Sequence, residues 1–181
     1  MVRLVAFLRG INVGGHIATK NQLQEAFISL GFLNVFTLRQ SGNVIFETHE
    51  LKKENFETRI AEKLRKILGY DVAVFLRTIE ELKSIINLNP FRNQEKEGSS
   101  FLVTMLSSTP SKFPLELPTT IPKSTAQIIS TKGTEVFSVT HGGGEGALPN
   151  PFIESKLKTK TTTRNMNIIE EIVEKFGSDN V

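Results

Sequence analysis

The stretch that decides the fold is Phe7-Leu8-Arg9-Gly10-Ile11-Asn12-Val13-Gly14-Gly15. The apolar, partly β-branched run at residues 2–8 predicts an interior strand. The glycines that follow predict a tight strand-to-helix connection, because glycine permits positive φ and a close approach of other groups to the backbone. Such a connection often binds an anion, since backbone N–H groups and a helix N-terminus both favour negative charge.

The specific glycine motifs do not match this stretch. A P-loop needs G-x-x-x-x-G-K-[ST], and Gly10 and Gly15 have that spacing, but His16-Ile17 follow instead of Lys-Ser/Thr. The dinucleotide fingerprint G-x-G-x-x-G is absent from the stretch. A structural turn without a ligand therefore stays open beside an anion site.

The order of elements in the first half predicts the architecture. After the first strand, the patterns predict a helix at 19–30, strands at 32–39 and 44–46, a helix at about 51–68 and a strand at 72–77. A two-residue hairpin turn is predicted at Ser41-Gly42. This order of strand, helix, strand, strand, helix and strand is typical of the split βαβ, or ferredoxin-like, arrangement.

The directions of the strands predict where the motifs meet. Because a helix joins the first two strands, a right-handed crossover makes them parallel. The glycine loop after the first strand and Gln40-Ser41-Gly42-Asn43 after the second then lie at the same edge of the sheet. Arg9 and Asn12 among the glycines are available there as hydrogen-bond donors.

The second half predicts a smaller α+β unit. Residues 87–100 are polar and contain Pro90, which indicates a boundary. We therefore expect an α+β protein with a ferredoxin-like subdomain at 1–88, a linker at 89–100 and a second α+β subdomain at 101–181 packed on the first.

Thr161-Thr162-Thr163-Arg164-Asn165 is a second candidate anion site. The last helix is predicted to start around residues 163–167, which places Arg164 at a helix N-terminus. The helix dipole disfavours a cation there by a few tenths up to about 1 kcal/mol, and an anion reverses that effect. The alternative, in which Thr and Asn merely cap the helix and Arg164 is solvated, stays open.

Composition excludes several classes of function. The 181 residues are 39% hydrophobic, carry a net charge of +3 and include no cysteine, which excludes disulfides and thiolate metal sites. The three histidines make no H-x-x-x-H pair, so we expect no metal and no cofactor. No run reaches the length of a membrane span and no signal peptide is apparent, so we expect a cytoplasmic protein without a membrane partner.

Three motifs, Ala6 to Gly15, Gln40 to Phe46 and Thr162 to Asn167, resemble the signatures of a bacterial family, domain-of-unknown-function family 1697. The chain departs from the family at Met166, where Trp is usual. The resemblance implies an α+β fold with a ferredoxin-like half and no established activity. It also implies that one shared feature is formed by Arg9, Asn12, Gly14, Gly15, Gln40, Ser41, Asn43, Thr163, Arg164 and Asn165.

The first functional hypothesis is a protein that binds a phosphate-bearing small molecule. Arg9, Arg164 and backbone amides bind the anion, and Asn12, Gln40, Ser41 and Asn43 orient the rest. No carboxylate lies in the three motifs, which favours binding over hydrolysis and leaves the question of enzymatic activity open.

Two alternatives stay open. A nucleic-acid-binding module would use the same edge with the lysines at 156, 158 and 160, although its net charge is modest for that role. Phe7 and Phe46 lie where related topologies stack bases, but we expect them to pack in the core. The other alternative is a protein–protein interaction module without chemistry, and the oligomeric state is left open.

Overall fold

The computed structural model describes residues 1–39, 42–49, 55–142 and 148–178. The protein is α+β, with two antiparallel sheets, which confirms the predicted class. It divides into two compact units, Met1–Leu82 and Lys83–Val181. The division falls within a helix, and the boundaries expected from the sequence stay a prediction.

The first unit has the predicted order of elements. These are β1 (Val2–Arg9), α1 (Lys20–Ile28), β2 (Leu33–Leu38), β3 (Asn43–Thr48), α2 (Phe56–Leu68) and β4 (Ala73–Thr78). The strands lie in the order β2-β3-β1-β4, and each neighbouring pair is antiparallel. Because β1 and β2 are both antiparallel to β3, they run in the same direction, as the crossover argument predicts. This order agrees with the split βαβ arrangement; the ferredoxin-like name stays a prediction.

Both faces of β1 are buried. Leu4, Ala6 and Leu8 pack with apolar residues of α1, α2 and the neighbouring strands in one core cluster. Val5 and Phe7, which alternate with them, are 0% exposed. Phe46 is likewise 0% exposed. The two phenylalanines therefore pack in the core, as expected, and present no surface for stacking bases.

The second unit contains a five-stranded sheet. Helix α3 (Ile79–Leu88) crosses the division, and the later elements are β5 (Ser99–Leu106), β6 (Thr119–Thr120), β7 (Ala126–Lys132), β8 (Glu135–His141), α4 (Asn150–Leu157), β9 (Thr161–Asn165) and α5 (Met166–Phe176). The strand order is β6-β7-β8-β5-β9, with antiparallel neighbours. Met166, the residue that departs from the family pattern, is buried at the start of α5.

Two local predictions are corrected by the structure. Residues 161–165 form the strand β9, paired with β5, rather than only a helix N-terminus. The physical reason is that three successive threonines are β-branched and favour a strand. The hairpin after β2 is longer than two residues, because the last pair of the ladder is Leu38 with Asn43 and residues 39–42 lie between them.

No helix in the described part of the chain is both long and apolar enough to cross a membrane.

Candidate functional site

The glycine loop contains a tight turn. The Val13 carbonyl accepts a hydrogen bond from the His16 N–H at 3.0 Å. Gly14 and Gly15 between them have φ of +58° and +84°, which is the backbone of a type I′ turn. A Cβ added at either glycine meets nothing within 4 Å. These glycines are therefore required for their backbone conformation and not for space.

Asn12 closes the base of the same loop. Its φ of +54° is one that asparagine tolerates better than most residues. Its Oδ1 accepts a hydrogen bond from the Ala18 N–H at 3.1 Å. The loop is thus held by hydrogen bonds at both its tip and its base.

The glycine loop and the β2–β3 hairpin meet at one edge. The Leu8 N–H donates to the Gly42 carbonyl at 2.7 Å. A Cβ added at Gly42 would stand 2.7 Å from Ile11 Cδ1. This close approach agrees with the convergence predicted from the strand directions. Gln40 and Ser41 lie outside the described residues.

A cavity of about 210 Å³ opens at this edge. The described residues that line it come from the glycine loop, the first turns of α1 and the start of the hairpin: Asn12, Ile17, Ala18, Thr19, Lys20, Leu23 and Arg39. Two of these residues are cations, and none of those described carries a carboxylate. Nor do the described residues contain a group of three or more His, Cys, Asp or Glu side chains placed to hold a metal ion.

The N-terminus of α1 adds to the positive potential of the cavity. Thr19 caps the helix: its hydroxyl accepts from the Gln22 N–H at 3.2 Å, and the Gln22 side chain accepts from the Thr19 N–H at 2.9 Å, so that the two residues form a capping box. The N–H groups of the first helical residues, Lys20 and Asn21, have no carbonyl within the helix to bond. The first turn contains no acidic residue. The helix end therefore favours an anion.

Arg9 and Asn43 lie away from this cavity. Leu8 packs in the core with α1 and α2, so alternation along β1 puts Arg9 on the opposite face of the sheet. Asn43 is 1% exposed, and its Nδ2 donates to the Leu38 carbonyl at 3.3 Å. This hydrogen bond links the start of β3 to the end of β2.

Thr163 belongs to a partly buried hydrogen-bond network in the second unit. Its hydroxyl donates to Asn150 Oδ1 and lies 2.8 Å from the hydroxyl of Thr104. Asn150 Nδ2 also donates to the Thr161 carbonyl at 3.3 Å. The network ties β9 to α4 and β5.

Arg164 and Asn165 also make contacts within their own segment. Arg164 Nη1 donates to Thr162 Oγ1 and to the Thr163 carbonyl, both at 2.9 Å. Burial lowers the pKa of Arg164 to about 10. Asn165 Oδ1 accepts from the Asn167 N–H at 3.1 Å and caps α5. Capping by Asn165 is the alternative left open by the sequence, whereas Arg164 is partly buried and donates hydrogen bonds within its own segment.

Sequence reasoning missed Lys20 and Arg39. It weighed the residues inside the motifs, and these two cations stand just outside them. The available signal was local: Lys20 follows the cap of the helix that leaves the glycine loop, and Arg39 directly precedes Gln40.

Tyr70 contacts His16 in the glycine loop and can serve as a spectroscopic probe of that loop. Its ring stacks on His16 with centroids 4.2 Å apart and planes inclined by 9°. It is the single tyrosine in a chain without tryptophan. Its hydroxyl is buried and, within the described structure, has no hydrogen-bond partner. Burial raises the pKa of Tyr70.

Comparisons with known proteins agree with this fold. A family model described as "Protein of unknown function (DUF1697)" matches residues 1–137. No curated protein matches the sequence. A solved structure, that of the conserved bacterial protein SP0830 from Streptococcus pneumoniae, is similar with a TM-score of 0.66 and 18% identity. The likeness covers 98% of this chain and 99% of the other, and at this identity it shows a shared fold.

Proposed function

The chain belongs to the DUF1697 family, and from its geometry we propose that it binds a small anionic ligand bearing a phosphate. The site is the cavity at the edge between the glycine loop and the β2–β3 hairpin. One observation carries the proposal: Asn12, Lys20 and Arg39, which come from three separate segments, line the same cavity.

The charges of the cavity support an anion. Lys20 and Arg39 supply two positive groups, and the N-terminus of α1 supplies backbone N–H donors. Hydrogen bonds between charged partners are roughly twice as strong as neutral ones. Arg39 offers a forked donor that suits a phosphate, whereas Lys20 acts as a compact point charge.

The size of the cavity limits what it can enclose. Typical pockets for drug-sized ligands have volumes of about 300–1,000 Å³. This cavity, at about 210 Å³, is smaller. It therefore suits a phosphoryl group with a few neighbouring atoms, and a whole nucleotide would extend beyond it.

The lining favours binding over catalysis. The described lining residues include no carboxylate and no histidine that could serve as a general base. Gln40 and Ser41 follow Arg39 and stay part of the proposed edge. This proposal does not require five of the residues that the sequence analysis assigned to ligand binding. Their roles stay predictions: Arg9, Asn43, Thr163, Arg164 and Asn165.

Two wider expectations belong to the same proposal. A chain without cysteine fits a reducing compartment such as the cytoplasm. A nucleic-acid partner is less well supported, because Phe7 and Phe46 are buried and leave no stacking surface on β1 and β3.

A thermal-shift panel with charge-matched variants tests the proposal. A ligand at about 100 times its dissociation constant stabilises by roughly 2.7 kcal/mol, which corresponds to about 5–10 °C for a chain of this size. We expect a phosphorylated compound to raise the melting temperature of the wild type and of Lys66→Gln, an exposed position on α2. Lys20→Gln and Arg39→Gln should each reduce the shift.

The opposite pattern refutes the site. If Lys66→Gln weakens the shift as much as Lys20→Gln, the effect reflects net charge and not the cavity. If no anion shifts the wild type, the protein–protein alternative becomes the better account.

A further inference from the structure

We propose that the ligand carries a compact apolar group beside its anion, and that Ile17 recognises this group. The inference rests on the proposed anion-binding function and narrows the class of ligand. It assigns the cavity to small organic phosphates in preference to inorganic phosphate.

The cavity has an apolar wall as well as two cations. Ile17, Ala18 and Leu23 line it together with Lys20 and Arg39. Ala18 and Leu23 are 7% and 4% exposed and belong to the core cluster of the first unit. Ile17 is 72% exposed. The wall therefore has a fixed apolar floor and one large apolar side chain that presents its surface to solvent.

Packing in the core does not explain why residue 17 carries a large apolar side chain, because Ile17 stays exposed. Single exposed apolar residues are ordinary on protein surfaces and need no explanation. Ile17 differs because it lines a cavity on a loop that other contacts already hold, namely the Asn12–Ala18 and Val13–His16 hydrogen bonds and the stacking of His16 on Tyr70. Those contacts fix the position of Ile17 without burying it.

A ligand that carries both an anionic group and an apolar group fits this arrangement. Its phosphate meets Lys20 and Arg39, and its apolar part covers Ile17 and the floor formed by Leu23. Each methylene that is fully removed from water strengthens binding by about fourfold. Inorganic phosphate gains nothing from the wall. A long polyanion gains little, because its repeating charges leave few apolar atoms to place there.

A series of phosphates with increasing apolar size tests the inference. The compounds are inorganic phosphate, methyl phosphate, butyl phosphate and phenyl phosphate, titrated by calorimetry against the full chain. For the wild type we expect the dissociation constant to fall along the series, by at least tenfold from inorganic to phenyl phosphate. Ile17→Ser should remove most of this gain, so that the ratio of the dissociation constants of inorganic and phenyl phosphate falls towards one.

A matched control separates recognition from general surface effects. Ile28 is 59% exposed on α1 and is not among the lining residues. Ile28→Ser makes the same chemical change and should leave the series unaltered. If both serine variants alter the series equally, the assignment to Ile17 is overturned.

The outcomes distinguish this inference from the function on which it rests. If inorganic and phenyl phosphate bind the wild type with equal affinity, the apolar-group inference is wrong and anion binding stands. If no member of the series binds, the proposed function fails first and the inference fails with it.

Discussion

Gly42 lies at the edge where the glycine loop meets the hairpin. A Cβ there would lie 2.7 Å from Ile11 Cδ1 and 3.1 Å from Leu8 Cβ. Its φ of +70° is also one that side chains rarely adopt. Gly42 therefore meets two requirements at once, a close approach and a left-handed backbone.

Alanine substitutions at Gly42 and at Gly31, compared with each other, separate these two requirements. Gly31 has φ of +85°, but a Cβ there meets nothing within 4 Å. We expect Gly31→Ala to cost about 1–2 kcal/mol of unfolding free energy, from the backbone alone. Gly42→Ala should cost about 1–3 kcal/mol more, because Ile11 and Leu8 must move. Urea denaturation measures both, and equal losses would contradict the close approach.

Tyr70 gives a prediction that can be read by ultraviolet absorbance. Burial raises its pKa above the ordinary value of 10.0 because the charged phenolate is poorly solvated. As the single tyrosine, it should titrate with a midpoint above 10 in the folded protein and return to about 10 in urea. The folded protein keeps the Tyr70 hydroxyl protonated to a higher pH than the unfolded chain does. The contribution of Tyr70 to stability therefore falls as pH rises above 10. A midpoint at 10 in the folded protein would show that the ring is solvated.

At the scale of elements, Glu47 joins three strands of the first sheet. Its Oε1 accepts from Arg3 on β1 at 2.9 Å (Nε) and 2.7 Å (Nη2), and its Oε2 accepts from Asn34 on β2 at 2.6 Å. The Asn34 hydrogen bond is the largest cause of the lowered pKa of Glu47, and Arg3 adds to it against the opposing effect of burial.

This network predicts a pH-dependent contribution to stability. Because the folded pKa of Glu47 lies below 4.5, the contribution is present above that pH and is lost as pH falls through the lowered pKa. Glu47→Gln should therefore reduce the unfolding free energy by about 1–3 kcal/mol at pH 7. The difference between wild type and variant, measured by denaturation across pH, should shrink as the pH falls below 4.5 and through the lowered pKa of Glu47. A difference that stays constant down to pH 2.5 would contradict the assignment.

Elements also show which parts of the structure local sequence patterns could predict. The type of each element in the first unit and the meeting of the two motifs follow from local periodicity and strand direction. The strand β9 does not, because its partner β5 lies far away along the chain and the same threonines also suit a helix cap. The cavity likewise needs Asn12, Lys20 and Arg39 together, and no local pattern joins those positions.

At the scale of the whole molecule, the net charge of +3 is too small to account for the selective anion binding that we propose. At physiological ionic strength the screening length is about 8 Å, so distant charges contribute little to a partly exposed site. In the proposed function, affinity therefore arises from the cations that line the cavity and from the helix end beside them. This is the reason that charge-matched variants, and not salt dependence alone, decide between the cavity and the overall charge.

The most direct test of the central claim is a titration of phenyl phosphate followed by the emission of Tyr70. Because Tyr70 stacks on His16 in the glycine loop, occupation of the neighbouring cavity should alter its emission. We expect saturable changes in the wild type and in Lys66→Gln, and none in the double variant Lys20→Gln/Arg39→Gln, with calorimetry confirming the loss of binding. Unchanged affinity in the double variant would show that the cavity is not the anion site.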